Sequence, residues 1–180
     1  MLDVKKHGLT ILVIVAVAAV ASRLVPHYPN MGVVTALSIF AAAYLPLRTA
    51  LVLTLAVRLV SDYFLGFFSL PLMVAVYGSH MFGAFAGAWL RKQENSNYRY
   101  AKIFGAGLIS AIVFFLVTNF ALLYPGSYPQ NLSGIVQSYI NALPFFRGTL
   151  LGDIGYTFAL FALYDANAAV TKLSWVYKKV

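Results

Sequence analysis

Residues 101–123 read AKIFGAGLISAIVFFLVTNFALL and contain a single charge, at Lys102. A helix needs about 20 mostly apolar residues to cross the hydrocarbon core of a membrane. This stretch therefore predicts a membrane-spanning helix. Five further apolar stretches follow the same pattern, at residues 8–25, 31–47, 49–66, 70–90 and 145–171.

The composition agrees with a membrane protein. Of the 180 residues, 61% are hydrophobic and only 10% are charged, with a mean hydropathy of +0.80. A soluble domain of this size with such a composition would have too few polar residues to cover its surface. The period-2 alternation typical of an outer-membrane barrel is missing. We therefore predict an all-α polytopic membrane protein in which residues 1–180 form a single six-transmembrane-helix bundle.

The basic residues predict the orientation. Cytoplasmic connections carry an excess of Lys and Arg, and ten of the 13 basic residues fall at segment ends that alternate to one side. Both termini are then cytoplasmic, and we expect the protein to lie in a cytoplasmic membrane. This topology accounts for the net charge of +8, so no nucleic-acid partner is required. The ten residues are Lys5, Lys6, Arg48, Arg91, Lys92, Arg99, Lys102, Lys172, Lys178 and Lys179.

The first segment has two interpretations to weigh. Its lysines precede an apolar run that ends in Ala19-Val20-Ala21, as in a cleaved signal peptide, but we expect an uncleaved first span. Ala18 and Ser22 have small-xxx-small spacing, which favours close helix packing. That face either packs inside this bundle or docks another membrane subunit.

The connection at 124–144 is uncharged and rich in turn residues. Its second half has apolar residues at helical spacing, which predicts a short amphipathic helix over the mouth of the bundle. The helix would serve either as a lid or as an interfacial anchor.

Polar residues inside the apolar segments are the candidate functional residues. A charge at hydrocarbon depth costs a few kcal/mol and usually faces a partner or a cavity. Most of these residues fall in the outer half of the predicted bundle, which predicts a cavity that opens outward. They are Arg58, Asp62, His80, Asn119, Arg147 and Asp153.

Helical spacing relates several of these residues. Arg58 and Asp62 are separated by four positions and can form an ion pair, which is either structural or in contact with a ligand. His80 shares a helix face with Tyr77 and with Gly83-x-x-x-Gly87, a close-packing motif, so it should point inward. It is either a hydrogen-bonded packing residue or a ligand contact. Gly148-x-x-x-Gly152 predicts a second tight contact, beside Asp153.

Motifs of enzymes are missing from the sequence. It has no HExxH, GxSxG, P-loop or paired-carboxylate metal motif. The three histidines are dispersed, and the absence of cysteine excludes disulfides and thiolate chemistry. We expect no enzymatic activity and no resident cofactor.

Five strings carry a resemblance to a known family: RLVPHYPN at 23–30, SDYFLG at 61–66, VYGSH at 76–80, FFLVTNF at 114–120 and LPFFRGTLLGD at 143–153. Together they resemble the six-helix substrate-binding S-components of energy-coupling factor vitamin transporters. Within these, the sequence is most similar to the solitary vitamin B12 transporters called BtuM.

The resemblance implies uptake of a vitamin that binds at the outer loops and outer helix ends, where His27 and Asn30 lie. It also implies a possible energising membrane subunit on helix 1. The cobalamin group can place a cobalt-binding cysteine in the region that matches Val76 to Gly83. This chain has His80 there, and imidazole is a good cobalt ligand. A cobalamin-type corrinoid is therefore the expected transported ligand, with His80 as its metal contact.

Two other functions stay open. The chain would instead carry another small nutrient, or it would be a membrane scaffold or assembly factor without a substrate. Copurified small molecules would distinguish the three hypotheses.

Overall fold

The computed structural model describes residues 15–26, 28–93 and 97–177, with side chains described up to residue 166. This part of the chain is all helical, as predicted, and contains six α-helices. A 3-10 turn, Ala121–Leu123, precedes the last of them. The helices are α1 (Val15–Leu24), α2 (Val34–Tyr44), α3 (Leu47–Leu65), α4 (Leu70–Arg91), α5 (Arg99–Thr118) and α6 (Leu132–Tyr177).

The short helix α2 is the centre of the bundle. Every residue from Val34 to Ala43 is buried, and α2 contacts α3, α4, α5 and α6. The closest approach is to α4, where a Cβ atom on Gly87 would overlap the Ile39 carbonyl and one on Gly83 would lie 3.2 Å from the Thr35 carbonyl oxygen. The sequence prediction that Gly83 and Gly87 face another helix is confirmed, and that helix is α2.

Successive helices run in opposite directions, which gives the bundle two chemically different ends. The connections at 25–33, 66–69 and 119–131 lie at one end, here called the cavity end. The short turn at 45–46 and the α4–α5 connection lie at the other, here called the basic end. There Arg91 donates to the Leu45 carbonyl oxygen at 2.8 Å, and Arg99 pairs with Asp165.

The prediction for residues 124–171 is wrong in one respect. The short amphipathic helix and the last apolar segment are one continuous helix, α6, with Pro144 inside it. Proline removes only one backbone hydrogen bond, the one to Ile140. Asn131 starts the helix, since its side-chain oxygen accepts from the Gly134 N–H at 3.1 Å.

The N-terminal part of α6 turns a face of small residues to the bundle. Gly134, Ser138 and Ala142 are buried, with Gly134 against the Pro129 carbonyl. Small residues occupy the inner positions because only they let the helix backbone approach the rest of the bundle so closely. The large apolar residues are exposed instead, namely Leu132, Val136, Ile140 and Leu143.

Other helix boundaries differ modestly from the predicted segments. The segment 31–47 yields a helix of only 11 residues, because the chain from 28 to 33 forms turns that pack against α6. The segment 101–123 ends as an α-helix at Thr118 and continues in the 3-10 turn. Two helices in the described part, Leu70–Arg91 and Arg99–Thr118, are long and apolar enough to cross a membrane.

Close packing of α4 on α2 generates a prediction. Gly87→Ala should lower the free energy of unfolding by about 1–3 kcal/mol, because the added methyl group meets the α2 backbone, which has no free rotamer to adopt. The matched control is Gly78→Ala in the same helix, where the methyl group meets open space. That variant should keep or raise stability, by up to about 1 kcal/mol from helix propensity. Thermal unfolding in detergent measures both, and equal melting temperatures would contradict the packing.

Candidate functional site

A buried network of charges at the cavity end is organised around Asp62. The Asp62 side chain is 1% exposed. Its Oδ2 accepts from the Arg58 Nη2 at 2.7 Å and from the Tyr77 hydroxyl at 2.7 Å, and its Oδ1 accepts from the Arg23 Nη1 at 2.7 Å. The predicted pair of Arg58 and Asp62 is therefore confirmed, and both carboxylate oxygens are occupied.

Arg23 is the member of this network that sequence reasoning missed. The prediction placed it in the first connection, whereas it lies in the last turn of α1 and also donates to the Ser61 hydroxyl. Spacing along one helix finds Arg58 but gives no information on a partner 39 positions away. The available signal was position, because Arg23 and Asp62 both lie near the C-terminal ends of helices that run in the same direction, at the cavity end.

A cavity of about 270 Å³ lies beside the network. Arg58 reaches its wall, with the guanidinium carbon 6.0 Å from the centre of the Phe68 ring. Polar groups from three other elements also line it, contributed by Asn30, Thr118, Asn119 and Thr149. The remaining wall is mainly aromatic, from Phe68, Phe114, Phe115, Phe146 and Tyr124. This combination can hold an organic molecule that presents both an apolar surface and hydrogen-bonding groups.

A second cavity of about 250 Å³ adjoins the first, since Asn119, Tyr124 and Ala142 line both. It extends under the connection at 119–131 to Tyr128 and Asn141. The Tyr124 hydroxyl donates to the Thr118 carbonyl oxygen at 2.6 Å. Burial raises the pKa of the Tyr124 phenol, so it remains a neutral donor at physiological pH. Together the two cavities form a divided space at the cavity end.

His80 and Asp153 belong to a separate buried group that Thr35 connects. The Thr35 hydroxyl lies 3.0 Å from His80 Nδ1 and is close to the Asp153 carboxyl. Asp153 Oδ2 is buried without a hydrogen-bond partner in the described part of the chain. The Phe114 ring, which lines the cavity, lies 4.9 Å from the His80 ring. The group therefore sits directly behind the cavity wall.

The structure brings most predicted site residues to this end of the bundle. Arg58, Asn30 and Asn119 line the cavity, while Asp62 and Tyr77 support Arg58 from behind. His27 lies outside the described residues. In the part of the chain that is described, no group of three or more metal-ligating side chains occurs.

Arg147 is the exception. Sequence reasoning placed it inside the bundle, but its side chain is exposed and does not line the cavity. The neighbouring Gly148 explains the orientation, because it packs so closely on the Pro29 carbonyl that its helix face turns inward. Gly152, four positions later, packs on Gly32. The second small-residue motif thus forms the predicted tight contact, against the α1–α2 connection.

The three charged residues of the network around Asp62 should contribute unequally to the stability of the protein. Asp62→Asn should destabilise the protein by about 3–5 kcal/mol, because it leaves two buried arginines without a counter-charge. Arg23→Met should cost far less, since Arg58 still balances the charge of the carboxylate and, with Tyr77, still bonds its Oδ2. Thermal unfolding of the two variants would measure the difference, and a larger loss in Arg23→Met would show that Asp62 is not the centre of the network.

A double-mutant cycle tests the coupling within the pair. The effects of Arg58→Met and Asp62→Leu should not add, because the two side chains share one hydrogen bond and one desolvation cost. Strict additivity of the unfolding free energies would contradict the ion pair.

A family model covers almost the whole chain. It matches residues 4–173, from before α1 to near the end of α6, and it describes a family of unknown function. No curated protein and no solved structure matches the sequence. Because the matched region is far more than half of the chain, the protein belongs to this family, DUF6580.

Proposed function

We propose that this protein is a membrane transporter that binds a small organic nutrient at the cavity end and carries it into the cell. The observation that carries the proposal is the cavity itself, in which a buried arginine, two amides and several phenylalanine rings converge. Binding sites for small molecules are mostly apolar pockets with a few placed polar groups. A scaffold function does not explain why a buried charge network lies beside a cavity.

The surface of the bundle supports the membrane part of the proposal. Large apolar side chains are exposed along the long helices, among them Phe85, Trp89, Phe104, Ile109 and Leu151. A soluble monomer rarely exposes so many contiguous apolar groups. Lipid chains would cover them, and the charges of the described part would lie either at the two ends or in buried networks.

The ligand class follows from the cavity and from the resemblance to vitamin transporters. A cobalamin-type corrinoid is the ligand that the resemblance implies. The space of about 270 Å³ is smaller than the roughly 300–1,000 Å³ typical of drug-sized ligands. A corrinoid would therefore require the connection at 119–131 to move and the two cavities to merge. The closed volume favours the second candidate, a transporter for a smaller nutrient.

A cobalt contact through His80 stays a prediction. The Nδ1 atom already faces Thr35, so Nε2 is the nitrogen left for a metal. The Phe114 ring would have to rotate before a ligand in the cavity could reach it.

An energising partner also stays a proposal. Ala18 on α1 is exposed, and an apolar groove of about 360 Å³ runs between α1 and α3 beside it. Its small and β-branched residues, including Ala21 and Val60, would allow close helix packing.

The proposed orientation can be tested with introduced cysteines, because the chain has none of its own. Ser127 and Asn97 are both exposed, in connections at opposite ends of the bundle. In intact cells, Ser127→Cys should react with a membrane-impermeant maleimide, and Asn97→Cys should react only after the cells are opened. Reaction of both in intact cells would contradict the orientation.

Ligand binding is tested with the purified protein. Mass spectrometry should find a copurified small molecule, and a corrinoid would be recognised by its visible spectrum. Asn119→Leu should reduce its occupancy at least about tenfold, because an amide that bonds the ligand is worth about 1.4 kcal/mol or more. The control Asn97→Leu, at the other end, should keep it. A protein without any ligand, under conditions where it is folded, would favour the scaffold function instead.

A further inference from the structure

The charge network beside the cavity is not neutral. Arg23 and Arg58 contribute two positive charges, and Asp62 contributes one negative charge. Tyr77 adds a hydroxyl donor but no charge. The cluster therefore carries one surplus positive charge at a site where Arg58 is only 5% exposed. A buried charge without compensation is costly, so an anion that reaches it gains more than it would in water.

Other described carboxylates do not supply this compensation. Asp165 pairs with Arg99 at the basic end. Asp153 lies close to Thr35 and forms no ion pair in the described part of the chain. Both oxygens of Asp62 are already taken. Arg58 lines the cavity, so the surplus positive charge lies beside it.

Arg58 has the donors to bind an anion. Its Nη2 donates to Asp62. Its Nε has no partner among the described residues but is fully buried, so an anion in the cavity would bind through the terminal nitrogens of the guanidinium. The guanidinium is held between Asp62 and the aromatic rings of Tyr77 and Phe68, at 5.0 Å and 6.0 Å from the ring centres. A fork fixed in this way is suited to a carboxylate or phosphate group, because little side-chain freedom is lost when the ligand binds.

We propose that the ligand of the cavity is an organic anion, and that its carboxylate or phosphate group binds Arg58 while its apolar part lies against the phenylalanine rings. Asn119 and Asn30, on the same wall, supply further hydrogen bonds to the polar part. Arg23 does not touch the ligand. It supplies the charge that prevents Asp62 from neutralising Arg58. This inference rests on the proposed function, because it concerns the same cavity. It adds that the transported molecule is negatively charged.

The test uses two probes of nearly equal shape, benzoate and benzamide, with the purified full-length protein in nanodiscs at constant ionic strength. Thermal unfolding is followed as each probe is titrated. Benzoate should stabilise the wild-type protein with an apparent Kd at least about tenfold below that of benzamide, whose amide carries no charge. Phenylphosphonate should behave as benzoate does.

Variants locate the effect. Arg58→Gln should abolish the preference for benzoate, and Arg58→Lys, which keeps the charge, should retain part of it. Arg23→Gln leaves a balanced pair and should weaken benzoate binding without removing any contact with it. The control Arg48→Gln removes an exposed arginine at the basic end and should change nothing.

Two outcomes would overturn the inference: equal stabilisation by benzoate and benzamide, or a preference for benzoate that persists in Arg58→Gln. Failure of the proposed function is a separate result. A copurified neutral nutrient together with no preference for benzoate would reject the anion site and keep the transporter. A preference for benzoate in a protein that moves no nutrient across a membrane would keep the anion site and reject the transporter.

Discussion

The buried carboxylate of Asp62 is the interaction on which the cavity end depends. It joins α1 to α3 through Arg23 and joins α3 to α4 through Tyr77, so three helices meet at one side chain. Burying these arginines without a counter-charge would be strongly unfavourable. The same carboxylate sets the position of Arg58, which is how a structural ion pair also shapes the wall of a cavity.

The second constraint on the structure is the short length of α2, which leaves space at the cavity end of the bundle. Because this helix is short and buried along its length, the surrounding helices converge on it through glycines and other small residues. It has only 11 residues, and in the connection before it Pro29 and Gly32 pack on glycines of α6. The cavity is formed where Asn30, in this connection, faces the upper parts of α4, α5 and α6. The short central helix therefore creates the space, and the Asp62 network gives it charge.

Much of this could be predicted from the sequence, and the exceptions have physical causes. Helical periodicity and i, i+4 spacing are local, so they correctly predict the helices, the Arg58–Asp62 pair and the inward face of Gly83 and Gly87. Contacts between distant segments leave no such pattern, and the role of Arg23 was missed for that reason. At the start of α6 the sequence predicts an amphipathic helix but not which face packs, and the large apolar residues there face outward. The packed face there consists of small residues, which let the helix backbone approach its neighbour closely.

An experimental structure of the protein in a lipid nanodisc, purified without added ligand, tests the central claim most directly. The account predicts that Asp62 joins Arg23, Arg58 and Tyr77 inside the bilayer, with density for a bound molecule between the Arg58 guanidinium and Asn119. A collapsed cavity, or Arg58 neutralised by a second carboxylate of the chain, would contradict it.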